Sequence, residues 1–137
     1  VGGRKNALDH IDAAYLNGFT PFSTGCHVII ADGLKGTDEE YVDINQEYVK
    51  TAKIGRAIMD ADVVISLNHF KGHEGTGFGG AIKNIGMGCG SRAGKMEMHS
   101  SGKPHVVTSA DNVLKFVHMV QFLMMKMDVL KLIIQSV

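Results

Sequence analysis

Residues 48–67, YVKTAKIGRAIMDADVVISL, contain the pattern from which we predict the fold. The apolar residues that share the spacing of one helix face are Ile54, Ala57, Ile58 and Ala61. This i, i+3, i+4, i+7 spacing predicts an amphipathic helix over residues 48–61. The helix leads directly into residues 63–67, a short apolar run rich in β-branched side chains, which is typical of a buried strand.

Earlier segments supply a further strand and a further helix. Residues 28–31 form an apolar run that ends at the turn-forming pair Asp32-Gly33, and residues 41–44 are a weaker strand candidate. Residues 5–17 have apolar side chains at helical spacing and are followed by Gly18, a typical helix stop. A strand, helix, strand order favours a right-handed crossover between parallel strands. We therefore predict an α/β fold with a mostly parallel sheet and flanking helices.

The size and charge of the chain limit its partners. It has 137 residues, 45% hydrophobic and 20% charged, which fits one globular domain. Its 14 basic and 14 acidic side chains cancel, so we expect neither nucleic acid nor a membrane as partner. Two cysteines, Cys26 and Cys89, are too few for a disulfide scaffold and predict a reducing, cytoplasmic location. The first residue is not methionine, so we expect a fragment of a larger domain.

The C-terminal residues differ in composition from the rest of the chain. Residues 106–137 are apolar on nearly every helical face, yet the run between Lys115 and Lys126 has only ten residues without Asp, Glu, Lys or Arg. A membrane-spanning helix needs roughly 20 apolar residues. We therefore predict an α/β domain over residues 1–105 and an apolar helical tail over residues 106–137. The tail would be a core helix or an interface, in a homo-oligomer or with a missing ferredoxin-like domain.

Glycine and histidine are concentrated between residues 68 and 103, which we predict to be a functional loop. Ten of the 17 glycines lie between Gly72 and Gly102. Glycine is costly to order, so such a density is typical of backbone that turns or approaches a ligand closely, although a mobile loop has the same composition. Chemically active side chains accompany these glycines: His69, Lys71, His73, Glu74, Lys83, Cys89, Arg92, Lys95, Glu97 and His99. Their presence favours a binding or catalytic site.

A phosphate-binding pattern lies within this loop. Residues 75–80, GTGFGG, fit G-x-G-x-x-G, and a helix starting at residue 81 would place its N-terminal amides beside a phosphate. Seven residues separate Leu67 from this pattern, whereas a dinucleotide fingerprint follows its strand almost at once. We therefore expect another phosphate-bearing organic cofactor. Its candidate ligands are Gly77, Gly79, Gly80, Lys83 and Asn84.

Other candidate residues have equally good structural interpretations. His69 and His73 are four apart, but the glycine between them opposes a helix, so the pair is not a zinc signature. Cys89 lies between two glycines and could be exposed and reactive. Asp32 ends a predicted strand, where it would be either a catalytic carboxylate or a turn former.

The loop and its flanks resemble a known family. Residues 61–67, Lys71-Gly72-His73, Thr76-Gly77 and residues 80–84 are similar to the family called domain of unknown function 362, over roughly residues 1–105. Members include uncharacterised iron-sulfur-centre proteins, often with a CxxCxxCxxxC module. This chain has no such motif. The resemblance therefore implies the fold but no iron-sulfur cluster here.

A remoter similarity, to nickel-dependent lactate racemase, implies a mechanism. His73, Lys83 and His99 recur at that enzyme's spacings of ten and sixteen residues. The similarity implies that His73 is an acid/base, that Lys83 anchors a cofactor and that His99 binds a metal, nickel or iron. Lys71 would clamp a substrate carboxylate.

Two functions follow from these residues. One is a metal- or cofactor-dependent racemase or oxidoreductase acting on a small hydroxy or carboxylic acid. The alternative is a non-catalytic ligand-binding or electron-transfer accessory domain of an iron-sulfur protein. In either case the expected partner is a small-molecule ligand.

Overall fold

A computed structural model describes residues 3–45, 50–73 and 77–100. Residues 99 and 100 are described by their backbone only. Its elements in chain order are α1 (Ala7–Leu16), α2 (Pro21–Thr24), β1 (Glu39–Asp43), β2 (Thr51–Gly55), α3 (Arg56–Met59), β3 (Lys71–His73), β4 (Gly77–Gly79), α4 (Ala81–Gly88) and α5 (Arg92–Ser100). None of the described helices is long and apolar enough to cross a membrane. The tail predicted over residues 106–137 lies outside the described residues.

The first helix forms where the sequence predicts it. The Asn6 side chain caps α1 by accepting a hydrogen bond from the Asp9 amide at 2.9 Å. Beyond the end of the helix, Gly18 has a φ of 85°, a left-handed conformation that favours glycine. The helix predicted over residues 5–17 is thus confirmed, as is its stop. An amide bond from Ala7 to the Leu34 carbonyl, at 3.0 Å, joins α1 to the loop before β1.

The core lies on one face of an antiparallel pair, β1–β2. The register places Glu40 opposite Ile54 and Val42 opposite Ala52. The buried apolar residues are Val42, Ile44, Ala52, Ile54 and Cys89. The weaker strand predicted over residues 41–44 is confirmed as β1, which starts two residues earlier and ends one residue earlier than predicted.

The helix predicted over residues 48–61 is wrong in its N-terminal half. Residues 51–55 form β2, and helix begins only at α3. Ala52 and Ile54 are both buried, with Ile54 at 0% exposure, so the side chains follow the two-residue period of a strand. Pairing with β1 satisfies the backbone and buries this face, which outweighs the helical spacing.

The strands predicted over residues 28–31 and 63–67 do not form in the structure. Both segments have irregular backbone, and Ile29, Val63 and Leu67 are 69%, 65% and 76% exposed. A strand needs a neighbouring backbone to pair with, and local composition alone cannot supply one. Both sheets among the described residues are antiparallel. The fold is therefore a mixture of helices and strands, as expected, while the parallel sheet stays a prediction.

A second group of contacts anchors α5 to the core. Ser91, fully buried, accepts a bond from the Gly94 amide at 3.0 Å and donates its hydroxyl to Glu39. The Asp32 carboxylate accepts a bond from the Arg92 amide at 2.9 Å. Asp32 and Ser91 thus satisfy two amides of the first turn of α5.

Candidate functional site

The segment predicted as a loop between residues 68 and 103 is largely ordered into elements. It contains a hairpin, β3–β4, followed by α4 and α5. In the hairpin Lys71 pairs with Gly79, Gly72 with Phe78, and His73 with Gly77. The residues that join the two strands, 74–76, lie outside the described residues. The glycines here therefore serve a tight antiparallel pair and the start of a helix.

Two lysines meet at one glycine of this hairpin. A Cβ placed on Gly79 would lie 3.7 Å from Cδ of Lys83 and 3.9 Å from Cγ of Lys71. Gly79 is buried beneath these two side-chain stems. Two predicted site residues that are twelve positions apart in sequence are thus brought together. We call Lys71, His73, Gly79, Lys83 and the first turn of α4 the hairpin–helix surface.

His73 belongs to the same surface by its place in the strand. It is two positions from Lys71, and side chains two apart in a strand point to the same face. Its pairing partner, Gly77, has a φ of 76° and no side chain to cover that face. The structure therefore places both predicted catalytic residues on one face of β3.

The helix predicted after residue 80 forms, and its start has no side-chain cap. Gly80 is the N-cap of α4 and makes no side-chain hydrogen bond to it. Amides at an uncapped helix start can bind an anion. Among the predicted cofactor ligands, Gly77 and Gly79 are the two ends of β4, and Gly80 joins this strand to α4.

Asn84, also predicted to bind a cofactor, makes a structural contact. Its Nδ2 donates to Oδ1 of Asn68 at 2.6 Å, and Asn68 in turn donates to the Ser66 carbonyl at 2.9 Å. These bonds tie α4 to the segment before β3. The rings of Phe70 and Phe78, with centroids 5.4 Å apart, support the same junction.

The predicted metal site is not assembled by the described residues. The side chain of His99, the predicted metal ligand, lies outside the described part of the molecule. Within the described ranges no group of three His, Cys, Asp or Glu residues could hold a metal ion. The two lysines and the uncapped turn of α4 fit a phosphate better than a metal.

A second group of titratable side chains gathers around α5. Burial lowers the pKa of Lys95, an effect that Asp32 and Cys89 oppose and Arg4 reinforces. Burial, Lys95 and Arg4 likewise lower the pKa of His10. The sequence pointed to Asp32, Cys89 and Lys95 one at a time, and it missed Arg4 and His10. The spacing of these residues along the chain does not indicate that their side chains interact, because they come from separate segments.

Two expectations about single residues change with this cluster. Cys89 is 8% exposed, and burial raises the pKa of its thiol, so the prediction that it is exposed and reactive is wrong. Of its two glycine neighbours only Gly90 is closely packed: a Cβ placed there would lie 3.1 Å from Cε of Met98, whereas one on Gly88 would meet nothing within 4 Å. The Asp32 carboxylate accepts a hydrogen bond from the Arg92 amide. Asp32 therefore has a structural role at the start of α5, in addition to the turn that the sequence predicts.

Comparison with known proteins agrees with the family resemblance. The family model Domain of unknown function (DUF362) matches residues 2–135, and so extends beyond residues 1–105 into the segment predicted as an atypical tail. No curated protein matches the chain. No solved structure matches it either. The chain therefore belongs to the DUF362 family, a family defined by a domain of unknown function.

Proposed function

We propose that this chain binds a small molecule bearing a phosphate or carboxylate group on the hairpin–helix surface. The observation that carries the proposal is the approach of the Lys71 and Lys83 stems to Gly79, with Cγ of Lys71 at 3.9 Å and Cδ of Lys83 at 3.7 Å from a Cβ placed there. The glycine is buried, and the absence of a side chain lets both lysine stems pack over it. An anion seated there would meet both.

The charges on this surface support an anionic ligand. Neither Lys71 nor Lys83 is among the ion pairs of the described residues, which join Lys53 to Glu97 and Arg56 to Asp38 and Glu40. Two neighbouring cations repel each other, and a bound anion removes that repulsion. The amides of the first turn of α4 add positive partial charge on the same side.

Titration of the purified chain with pyrophosphate, followed by calorimetry, tests this site. We expect Lys71→Met and Lys83→Met each to weaken binding by roughly tenfold or more, since a hydrogen bond to a charged group contributes about 1.5–3 kcal/mol. Lys35→Met, which removes an exposed lysine from a distant loop, is the matched control. Equal losses in all three variants would contradict a specific site.

A catalytic role as a racemase or oxidoreductase is the second candidate. It is favoured by the position of His73 on the same strand face as Lys71. Lys71 would hold the carboxylate of a 2-hydroxy acid while His73 takes the hydroxyl proton. A cofactor bound through Lys83 would supply the hydride acceptor. Nickel or iron at His99 belongs to this proposal and depends on residues beyond those described.

Interconversion of D- and L-2-hydroxy acids, followed by chiral chromatography, tests the catalytic role. We expect His73→Gln to abolish interconversion and to leave pyrophosphate binding within about threefold of the unmodified chain, because the histidine moves a proton and does not hold the anion. Binding without interconversion in the unmodified chain would leave the accessory, ligand-binding role as the function.

The finer parts of the predicted fold and location also remain proposals. The exposed apolar side chains in the runs over residues 28–31 and 63–67 support the proposal that these segments pair as strands of a mostly parallel sheet. Both cysteines are free thiols, which supports a cytoplasmic location.

A further inference from the structure

The β3–β4 hairpin has two faces of different chemistry. Lys71 and His73 lie on the face that belongs to the hairpin–helix surface. Phe78 pairs with Gly72, the residue between these two, so its side chain points to the opposite face. Its ring centroid is 5.4 Å from that of Phe70. We call the side of the hairpin that carries Phe70 and Phe78 the aromatic face.

The aromatic face exposes much apolar surface in the described structure. Phe70 is 65% exposed and Phe78 is 59% exposed. Each phenylalanine buries on the order of 150–250 Å² when it is covered. Because burial of apolar area is the dominant favourable term in folding, an apolar element that covers both rings stabilises the molecule. The aromatic face is therefore a surface for packing.

The C-terminal segment has the composition of such an element. Of the 32 residues in the range 106–137, 20 are hydrophobic and only five are charged. The helix that the sequence predicts here would carry Lys115 and Lys126 on one side. Its opposite side would carry the apolar residues Val113, Val117, Val120 and Met124. One side of the predicted helix thus requires a partner.

The family match places the hairpin and this segment in one domain. The matched range, residues 2–135, is continuous and includes both of them. A domain is built from elements that pack their apolar sides on one another around a common core. We therefore expect the segment to pack on the rest of its own domain.

The described chain ends close to the aromatic face. Near the end of α5, Cε of Met98 is 3.1 Å from a Cβ placed on Gly90. Gly90 follows the C-terminal end of α4, whose eight residues span about 12 Å. At the other end of α4, a ring carbon of Phe70 is 3.8 Å from a Cβ placed on Gly80. Residues 101–105 reach roughly 17 Å when extended, which is enough to bridge this distance.

We propose that residues 106–137 pack as an amphipathic helix across the aromatic face of the same chain. The helix covers the rings of Phe70 and Phe78 with its apolar side, which carries Val113, Val117, Val120 and Met124. Lys71 and His73 remain on the opposite face of the hairpin, where a ligand can reach them. The proposal concerns a different face from the anion site and does not rest on it.

The tether favours this segment over other occupants. A short linker gives a tethered segment an effective concentration on the order of millimolar. A second copy of the chain, or a separate protein, meets the face only at its concentration in solution. The chain's own C-terminal segment is therefore the occupant that we assign to the aromatic face.

Photo-cross-linking in the full chain identifies the occupant. Phe70→p-benzoylphenylalanine places a photoreactive ring on the aromatic face, and the same replacement of Phe22, 99% exposed on α2, is the matched control. Cross-linked peptides are located by mass spectrometry in an equal mixture of unlabelled and heavy-nitrogen chains. We expect position 70, and not position 22, to cross-link to peptides of residues 106–137 within one isotopic form.

Two results of this experiment would overturn the proposal. Cross-links that join the two isotopic forms would assign the face to a second copy of the chain. The absence of any cross-link from position 70 to residues 106–137 would show that the segment does not cover the face.

A fluorescent reporter tests which side of the segment makes the contact. The chain has no tryptophan, so Phe78→Trp introduces a single reporter on the aromatic face. We expect Val120→Asp to shift its emission to longer wavelength and to increase its quenching by acrylamide, because a charged residue cannot replace valine against the rings. Asn112→Asp introduces the same charge on the lysine side and should change neither quantity. Equal effects of the two substitutions would overturn the assignment of the contacting side.

A second reporter separates loss of this contact from general unfolding. In a chain with Phe22→Trp, Val120→Asp should leave the emission unchanged, because α2 lies outside the proposed contact. Lys71→Met and Lys83→Met should weaken pyrophosphate binding and leave the cross-link from position 70 in place. Failure of the anion site and failure of this packing are thus distinguishable.

Discussion

Two regions of the molecule differ in burial and in the extent of their contacts. One is the β1–β2 core with α5, and the other is the hairpin–helix surface. In the core, Ile54 and Ser91 are fully buried, and the Ser91 hydroxyl bonds both Glu39 of β1 and the Gly94 amide of α5. On the surface, Phe78 and Ile82 are 59% and 51% exposed, and short strands are held by three residue pairs. The difference indicates that stability lies mainly in the first region, so a ligand bound at the second, as proposed, would leave the packing of the core unchanged.

The largest expected effect comes from shortening the central core side chain. Ile54→Ala should lower the free energy of unfolding by about 2–5 kcal/mol, because it leaves a cavity where the side chain is fully buried. Ile82→Ala, on α4, should cost about 1 kcal/mol or less. Urea denaturation of both variants measures the difference. Equal losses would mean that the two regions share one core.

A glycine substitution provides the second comparison. A Cβ at Gly94 would lie 2.6 Å from the Lys53 carbonyl oxygen, so Gly94→Ala should force α5 away from β2 and cost about 1–3 kcal/mol. Gly72→Ala, in the hairpin, meets nothing within 4 Å and should be nearly neutral. Thermal unfolding of the two variants tests this; a tolerated Gly94→Ala would show that the α5 contact is loose.

Removing the buried hydroxyl group should have a smaller effect. Ser91→Ala deletes the cap of the Gly94 amide and one of the two hydroxyl groups that donate to Glu39, the other being that of Tyr41, at a cost of about 1–2 kcal/mol. Ser66→Ala removes a hydroxyl that accepts a bond from Asn68 at 2.9 Å near the hairpin, and should cost about half as much. The ratio of the two losses, from urea denaturation, sharpens the contrast between the regions.

The smallest effect is a change in how stability depends on pH. The pKa of His10 is lowered from 6.5 by burial, Lys95 and Arg4, so the unfolded chain binds its proton more readily than the folded one. Its contribution is therefore present above pH 6.5 and is lost as the pH falls through the lower folded-state pKa. His10→Gln should flatten the pH dependence below pH 6.5, as measured by urea midpoints. An unchanged slope would show that burial, Lys95 and Arg4 do not lower the pKa of His10 in the folded chain.

Local rules predicted the elements whose signals are carried by neighbouring residues. Asn6 and Gly18 bound α1 through a cap and a left-handed turn, and both lie within one turn of the helix they define. The helix after Gly80 also formed where the sequence predicts it, although its start has no side-chain cap. The family, too, was recognised from contiguous stretches and is confirmed.

The predictions that failed depended on partners far away in sequence. Ile54 has the spacing of a helix and the environment of a strand, because β1 and Gly90 supply pairing that its own segment does not reveal. The runs over residues 28–31 and 63–67 have strand composition but no pairing strand in the described structure. Their β-branched side chains favour strand conformation, but a strand forms only where a neighbouring strand is available for backbone pairing.

The sequence by itself determined the chemistry available to this protein: lysines, histidines and glycines in one stretch, and a family to which they belong. Only the tertiary structure decided which of them meet. It brought the Lys71 and Lys83 stems together at Gly79, and it placed Lys95 where it interacts with Asp32 and His10 from two other segments. Spacing along a chain limits local geometry, whereas long-range contacts depend on how the whole backbone satisfies its hydrogen bonds and buries its apolar surface.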